Sequence, residues 1–596
     1  MPGIKFTTQS VPQGSVKFNG GLNSTAGPLS LSDNESPDLQ NVDFNTFGSV
    51  VKRNGYTALN TTIINDNTGA ISAFATLAAT TTTVTSAGHG LSDGTIVQIT
   101  GTTNYDGVYT ISGKTDNTFV ITIAYVADDA TGNWSVGVNS DGLYWFEFDV
   151  SGTTTRKLVN IAGAKLNKQD SLDGTWDDET NGLTITADNP CDFATFLDTM
   201  YVVNGEDTPF EWDGTASSAT TSTLPANVTK PKYVAEFNNY LFYAHVVLSG
   251  VARKSRFYWC NIKDTSTWRA TQFIDVSKED GQEITGIKVL GDRLIIFKSR
   301  SIYALYFTGD ADIPFILPGG GKTSSSVGCV GTNTIQEVDN GLVFLSSDGF
   351  YFFDGNNSFK ISDKITPTIL GYNKARFPSG VSLVQKTKNR YWCALTSSGG
   401  ATNDRIAVWD YFNNAWTIYV GLNASAMTIT YQDGIEERPY FADYGGFTYR
   451  GDVTSQKDDY PANVATKITA WYKTNWKHFN DLVNQKGVPE VTIYYQTSNS
   501  TMSFGYSFDF NETGATNSGA LPGTDYLHTF STSAGTSVYG TAVYGTGTYA
   551  RSGGDVKRRS LTGRGRVVQF MFGNNVLAET FQIDGAGYLP HLETNY

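Results

Sequence analysis

The chain has 596 residues, 17% of them charged and 13% aromatic, and a formal charge of −14 at pH 7. That acidic balance argues against a protein that wraps a phosphate backbone, which takes clustered Lys and Arg. With 61 glycines and only 5 methionines, the composition points away from helices, since glycine favours turns and aromatic rings favour strands. The length is ample for sizeable cores and suits about four domains, or fewer if they are large β-domains.

Residues 1–70 read as an extended N-terminal segment that joins the platform of the main domain. They hold Gly20-Gly21-Leu22-Asn23, then Asp33 to Asp43, then Lys52-Arg53-Asn54-Gly55-Tyr56. Pro37 keeps Ser36 out of helical geometry, and Asn54-Gly55 reads as a tight turn. Residues 71–138 change to a Thr-rich stretch that alternates at Thr95-Ile96-Val97-Gln98-Ile99-Thr100 and Phe119-Val120-Ile121-Thr122-Ile123. With turns at Asp93-Gly94 and Asp106-Gly107, this reads as a small β-module inserted in a loop.

From 139 to 460 one unit recurs: an aromatic-aliphatic strand, a Gly/Asp/Asn turn and a second such strand. The clearest copy is Leu342-Val343-Phe344-Leu345, Ser346-Ser347-Asp348-Gly349, Phe350-Tyr351-Phe352-Phe353, a strong hairpin signal. Related units begin near Leu143, Tyr201, Tyr240, Leu294, Tyr391 and Tyr440, at spacings of roughly 40–57 residues, about one four-stranded propeller blade. The expected fold is therefore all-β, with a β-propeller-like domain of six or seven blade-like units. A short helix is expected near Asp363–Tyr372 with Asp363 as its cap, although Pro367 weakens it. From 461 to 596 the rhythm is lost. Strands at Lys467–Tyr472, Val491–Tyr495, Val567–Phe572 and Glu579–Ile583, with Gly/Ser/Thr/Tyr-rich loops around 511–550, suggest a C-terminal β-sandwich.

Several residues invite a chemical reading. Gly319-Gly320-Gly321-Lys322-Thr323 looks like the end of a phosphate-binding loop, but Ile316 stands where the first glycine belongs and no helix start follows. A glycosidase needs two carboxylates across a cleft. Asp310, Asp312, Asp354, Asp410, Asp443 and the pair Glu436-Glu437 are the candidates, most of them in turns where Asp caps local backbone. His89, His245, His478, His528 and His591 are scattered, with no pair at ligand spacing. Cys191, Cys260, Cys329 and Cys393 form no CxxC pair and read as buried small hydrophobes. Arg551, Lys557, Arg558, Arg559, Arg564 and Arg566 are the one dense basic run, suited to a solvated strand edge or a protein partner. No catalytic, cofactor or metal residue is assigned, and no enzyme activity is expected. The first residues lack an apolar signal core and no stretch is long enough to span a bilayer.

The string GGLN…PLSLSDNESPDLQNVDF…GSVVKRNGY, over residues 20–56, resembles the opening of structural proteins of tailed bacteriophages, including the tail nozzle, also called tail tubular protein B. The stretch TTVTSAGHGLSDGTIVQITGTTNYDGVYTI…NTF…DDATGNWSV is similar to a small β-module of phage virion proteins. What the resemblance implies is a virion protein made in a bacterial cytoplasm, a commonly six-fold ring below the portal and adaptor. Such a ring carries fibres or spikes, and genomic DNA passes through it without sequence-specific contact. A head-completion stopper, a fibre-attachment hub and a polysaccharide-degrading tail protein are the alternatives.

Overall fold

A computed structural model describes residues 13–15, 17–45, 47–432, 436–459, 465–511, 521–532 and 554–593. Among these, seven small sheets, antiparallel except for one parallel pairing in the last, follow one another around a ring. Blades 1 to 6 span 140–178, 192–221, 233–275, 284–316, 336–360 and 381–420, each hydrogen-bonded in chain order. Blade 7 begins with Ala426–Gln432, Glu436–Ala442 and Thr448–Val453. Its fourth strand is Gly55–Ala58, which arrives from the N-terminal segment and pairs antiparallel with Thr448–Val453. The ring closes where the first strand of blade 1, Ser140–Val150, packs on the first strand of blade 7. Among the described residues the blades number seven.

The recurring sequence unit has a physical origin in the second strand of a blade, which is covered on both faces. In blade 4, Leu294, Ile295, Ile296 and Phe297 are all fully buried. Leu294 and Ile296 join the cluster shared with blade 3, while Ile295 and Phe297 join the one shared with blade 5. Side chains alternate across a strand, so a run apolar at every position serves two interfaces at once. The same division separates Tyr391, Cys393 and Leu395 from Trp392 and Ala394 in blade 6. Tyr201, Tyr240, Leu294, Leu342, Tyr391 and Tyr440 each lie in the second strand of a blade, whereas Leu143 lies in the first strand of blade 1.

Two further sheets form a sandwich. One contains Gln485–Gln496, Gly554–Ser560 and Gln582–Glu593, and is extended by Gln13–Ser15, Val42–Phe44 and Val50–Lys52. The other contains Ala470–Lys473, Thr501–Phe508, Tyr526–Ser531 and Val568–Asn574, with Leu39–Gln40 at its edge. The N-terminal segment is thus a working part of both sheets, and Phe18 and Val42 share a core with Val491, Phe504, Phe570 and Phe572. That core runs on without a break into Phe350, Tyr391 and Trp416 of blades 5 and 6.

Strands from Asn65–Ala70 to Asn133–Gly137 build a separate pair of sheets around Phe74, Val84, Val97, Tyr105, Phe119 and Trp134. Phe74 stacks on Tyr105 at 3.9 Å, and Trp134 Nε1 donates to Ser86 Oγ at 2.7 Å. The chain enters and leaves this module side by side, with Val138 N donating to Ile64 O at 3.2 Å.

The expected helix is shorter and is capped differently. A 3₁₀ turn, Asp363–Ile365, leads into an α-helix, Thr366–Leu370, and no side chain caps either. Pro367 falls in the first turn of that helix, where a missing N–H costs nothing. Most of the Gly/Ser/Thr/Tyr-rich stretch around 511–550 lies outside the described residues.

Candidate functional site: the N-terminal joint and the propeller axis

The string Lys52-Arg53-Asn54-Gly55-Tyr56 enters the space between sandwich, blade 6 and blade 7, and its polar groups are buried there. Arg53 grips Asp458 with two parallel bonds, Nη1 to Oδ1 at 2.9 Å and Nη2 to Oδ2 at 2.6 Å. Its Nε donates to Asn41 Oδ1 at 2.9 Å, and its guanidinium lies 4.4 Å from the Tyr56 ring centre. Burial works against a charge at this position, but the Asp458 carboxylate outweighs it and holds Arg53 firmly protonated. Asn41 Oδ1 also accepts from Val420 N of blade 6 at 2.9 Å. Asp43 receives the hydroxyl of Tyr419 and pairs with Arg390 at 3.1 Å. Lys52 Nζ turns the other way, to Asn574 Oδ1 of the sandwich at 2.7 Å. Burial, with the neighbouring Arg53 charge adding to it, lowers the Lys52 ammonium to about 7. Gly55 passes so close to Lys457 that a Cβ would stand 1.9 Å from its carbonyl oxygen. Asn41-Val42-Asp43 and Lys52 to Tyr56 are therefore a structural joint.

The propeller axis is the second candidate. A cavity of about 350 Å³ is walled by the first strands of the blades, including Asp141, Asp192, Glu236, Lys288 and Glu337. Asp192 Oδ1 and Oδ2 accept from Phe193 N and Val234 N, each at 3.1 Å. Asp141 Oδ2 accepts from Asp188 N at 2.9 Å. Burial pushes Asp192 up to about 6 and Asp141 up to about 7. Sequence reading passed over both aspartates, because a single Asp in a mixed strand carries no pattern of its own. A volume of this size holds a small molecule and is far too small to pass a DNA duplex.

Most of the carboxylates singled out from sequence serve backbone N–H groups beside them. Asp310 Oδ1 accepts from Asp312 N and Ile313 N at 2.7 and 3.0 Å, and Asp354 Oδ1 from Asn356 N and Asn357 N at 2.8 and 2.7 Å. Asp410 caps Asn413 N at 2.9 Å, and Asp443 caps Gly445 N and Phe447 N at 2.8 and 2.9 Å. Glu437 accepts from Thr387 N at 2.7 Å, Glu436 pairs with Arg438, and Asp312 is exposed. These residues are spread over blades 4 to 7. Gly319, Gly320 and Gly321 have φ of 60°, 87° and 72° in a 3₁₀ turn that leads into no helix, and Lys322 is bridged to Tyr303.

His89 lies in the module, His245 in blade 3, and His478, His528 and His591 in the sandwich. Among the described residues no group of three His, Cys, Asp or Glu is placed to hold a metal ion. All four cysteines are buried and free, and burial pushes Cys260 and Cys329 up to about 11 and Cys393 up to about 12. Of the basic run, Arg551 lies outside the described residues. Lys557 and Arg559 reach across the open side of the sandwich to the Phe530 ring, at 6.0 and 5.3 Å.

Residues 150–403, which carry most of blades 1 to 6, match a family model described as bacteriophage P22 Gp10, β-propeller. The match indicates a phage structural protein. A structural family of this kind points to a place in the virion and to a non-enzymatic role. No curated protein sequence matches the chain. Several solved structures are distantly similar. A computationally designed protein, Ika8, has 12% identity and a TM-score of 0.31, covering 67% of this chain and 100% of its own. BBS1N in complex with ARL6DN has 10% identity and a TM-score of 0.35, covering 55% and 95%. YCF48 from Cyanidioschyzon merolae has 12% identity and a TM-score of 0.34, covering 53% and 97%. None of the three bears on function.

Proposed function

We propose that this protein is a tail component of a phage virion, a nozzle-type ring below the portal and adaptor through which the genome leaves. The match of residues 150–403 to a phage structural propeller carries the reading. The N-terminal string supports it, since the residues that resemble phage nozzle proteins are those that lock sandwich and propeller together. The axial cavity is too small for a duplex, so the conduit is the space enclosed by several copies. Six copies would carry six times −14, or −84, formal charges. A wall of the same sign as DNA repels phosphates and leaves the genome sliding on water and counterions. The test is a reconstruction of the virion tail with symmetry imposed late. The expected density is a closed ring of this chain on the tail axis, six-fold and next to the adaptor. A trimeric spike, or a position off the axis, overturns the proposal.

A further inference from the structure

Lys52 ends the strand Val50–Lys52 in one sheet of the sandwich, and Asn574 ends Val568–Asn574 in the other. The two residues are 522 positions apart in the chain, yet their side chains meet where both are buried, Lys52 at 1% exposure and Asn574 at 0%. Lys52 Nζ donates to Asn574 Oδ1 at 2.7 Å and to Val576 O at 3.3 Å. The amide carbon Cγ is one carbonyl bond, about 1.23 Å, beyond Oδ1, so it lies within about 4 Å of the amine. A pair held at about 3–3.5 Å is placed to react. Buried lysines are rare unless paired with a carboxylate. Here both hydrogen-bond partners among the described residues are uncharged, an amide and a backbone carbonyl.

The groups around the Asn574 amide are those that acyl transfer needs. Oδ1 accepts a second hydrogen bond, from Val576 N at 3.1 Å, a donor aimed at the oxygen on which negative charge would develop. Nδ2 donates to Thr501 O at 2.5 Å and to Glu579 Oε2 at 3.3 Å. Donors at Oδ1 and acceptors at Nδ2 fix which end of the amide is which. Glu579 Oε2 is held in turn by Thr501 N at 2.6 Å. Burial lowers the Lys52 ammonium to about 7, so at neutral pH a large share of the side chain is the free amine, which is the nucleophilic form.

We infer that Lys52 and Asn574 are the site of an intramolecular isopeptide bond, which the folded chain forms by itself with Glu579 as proton carrier. Nζ adds to Cγ, and the electron pair of the carbonyl moves onto Oδ1. Both nitrogens then sit on one carbon, so the carboxylate beside Nδ2 is also next to Nζ. Glu579 takes the proton that Nζ sheds and delivers it to Nδ2. As the carbonyl re-forms, the Cγ–Nδ2 bond breaks and ammonia leaves. One C–N bond forms and one breaks, with no oxidant, reductant or cofactor consumed. The product ties one sheet of the sandwich to the other. It also fastens the N-terminal segment that supplies the fourth strand of blade 7, with the whole propeller enclosed between the two linked positions.

The test uses the full-length protein and needs neither a tail nor a second copy. Intact-protein mass spectrometry should find the chain lighter than its sequence by one ammonia. Trypsin, applied after denaturation, should release a branched species that joins residues 18–53 to residues 567–596, because Lys17, Arg53 and Arg566 bound those peptides and Lys52 is blocked. Glu579→Gln should slow linkage by about a hundred-fold or more, the usual worth of a positioned proton carrier, leaving freshly purified protein at its full sequence mass. Lys52→Met should abolish the branched species and the mass loss together. A succinimide at Asn574 also sheds ammonia, but it leaves Lys52 open to trypsin and persists in Lys52→Met. Separate peptides 18–52 and 567–596 from the folded wild type, or the same mass loss in Lys52→Met, overturn the inference. The wild-type digest decides the bond even where a variant fails to fold.

Discussion

At the scale of single residues, the two kinds of buried charge behave differently. Arg53 and Asp458 satisfy each other, whereas Asp192 is half-buried with two backbone donors and no bonded cation. Its carboxyl is raised to about 6 by burial, against about 3.9 for an unfolded chain. The folded state then holds the proton more tightly, so stability is full below pH 4 and is lost as the pH rises through about 6. Asp192→Asn keeps an acceptor for Val234 N. It should melt with the wild type near pH 4 and above it at pH 8, as followed by calorimetry. The aromatic strand of blade 5 gives a second prediction. Phe350 is fully buried, stacked 4.9 Å from Trp416 and edge-on to Tyr391 at 5.8 Å, while Phe352 is only partly buried. Phe350→Ala should cost about 3–5 kcal/mol in denaturant unfolding, and Phe352→Ala clearly less. The hairpin alone does not distinguish these rings, because both occupy a run that is apolar at every position.

At the scale of elements, the module and the seventh blade make opposite predictions. The module has its own core, and its ends meet at Ile64 and Val138. Replacing 65–137 with a short Gly/Ser linker should leave the remainder soluble, with one cooperative melt. Loss of folded protein would show that the propeller needs the module. Blade 7 is the reverse case. Its fourth strand is four residues long and comes from the far end of the chain, held by Arg53 and by the tight passage of Gly55. Removing one partner of a buried pair strands the other's charge and costs about 3–5 kcal/mol. Arg53→Met should therefore destabilise the whole molecule by that order, and its amide exchange should rise first in Thr448–Val453. The module's alternation is legible in sequence. The strand Gly55–Ala58 is not, because four residues after a turn resemble any loop.

At the scale of the whole molecule, the axial cavity and the genome conduit are different spaces. The axial wall contains Asp192 and Glu337 around a cavity of about 350 Å³. If DNA passes between copies, reversing axial charge with Glu337→Lys should leave the rate of genome release from virions unchanged. Lysines placed on the surface that faces the ring's lumen should slow it, more so at low salt. Slowed release with the axial variant would place DNA inside the propeller.

What the sequence by itself determined is what local order encodes. Alternation, turn glycines and apolar second strands specify an all-β chain with blades, a Thr-rich module and a run of longer strands. The tertiary structure decided how distant pieces complete one another. Asn41 meets Val420, Arg53 meets Asp458, and Phe18 enters the sandwich core. The axial wall likewise takes Asp141 from one blade and Asp192 from the next. Such pairings join residues far apart in the chain and leave no periodicity behind. Their energy comes from burial that exists only once the ring has closed.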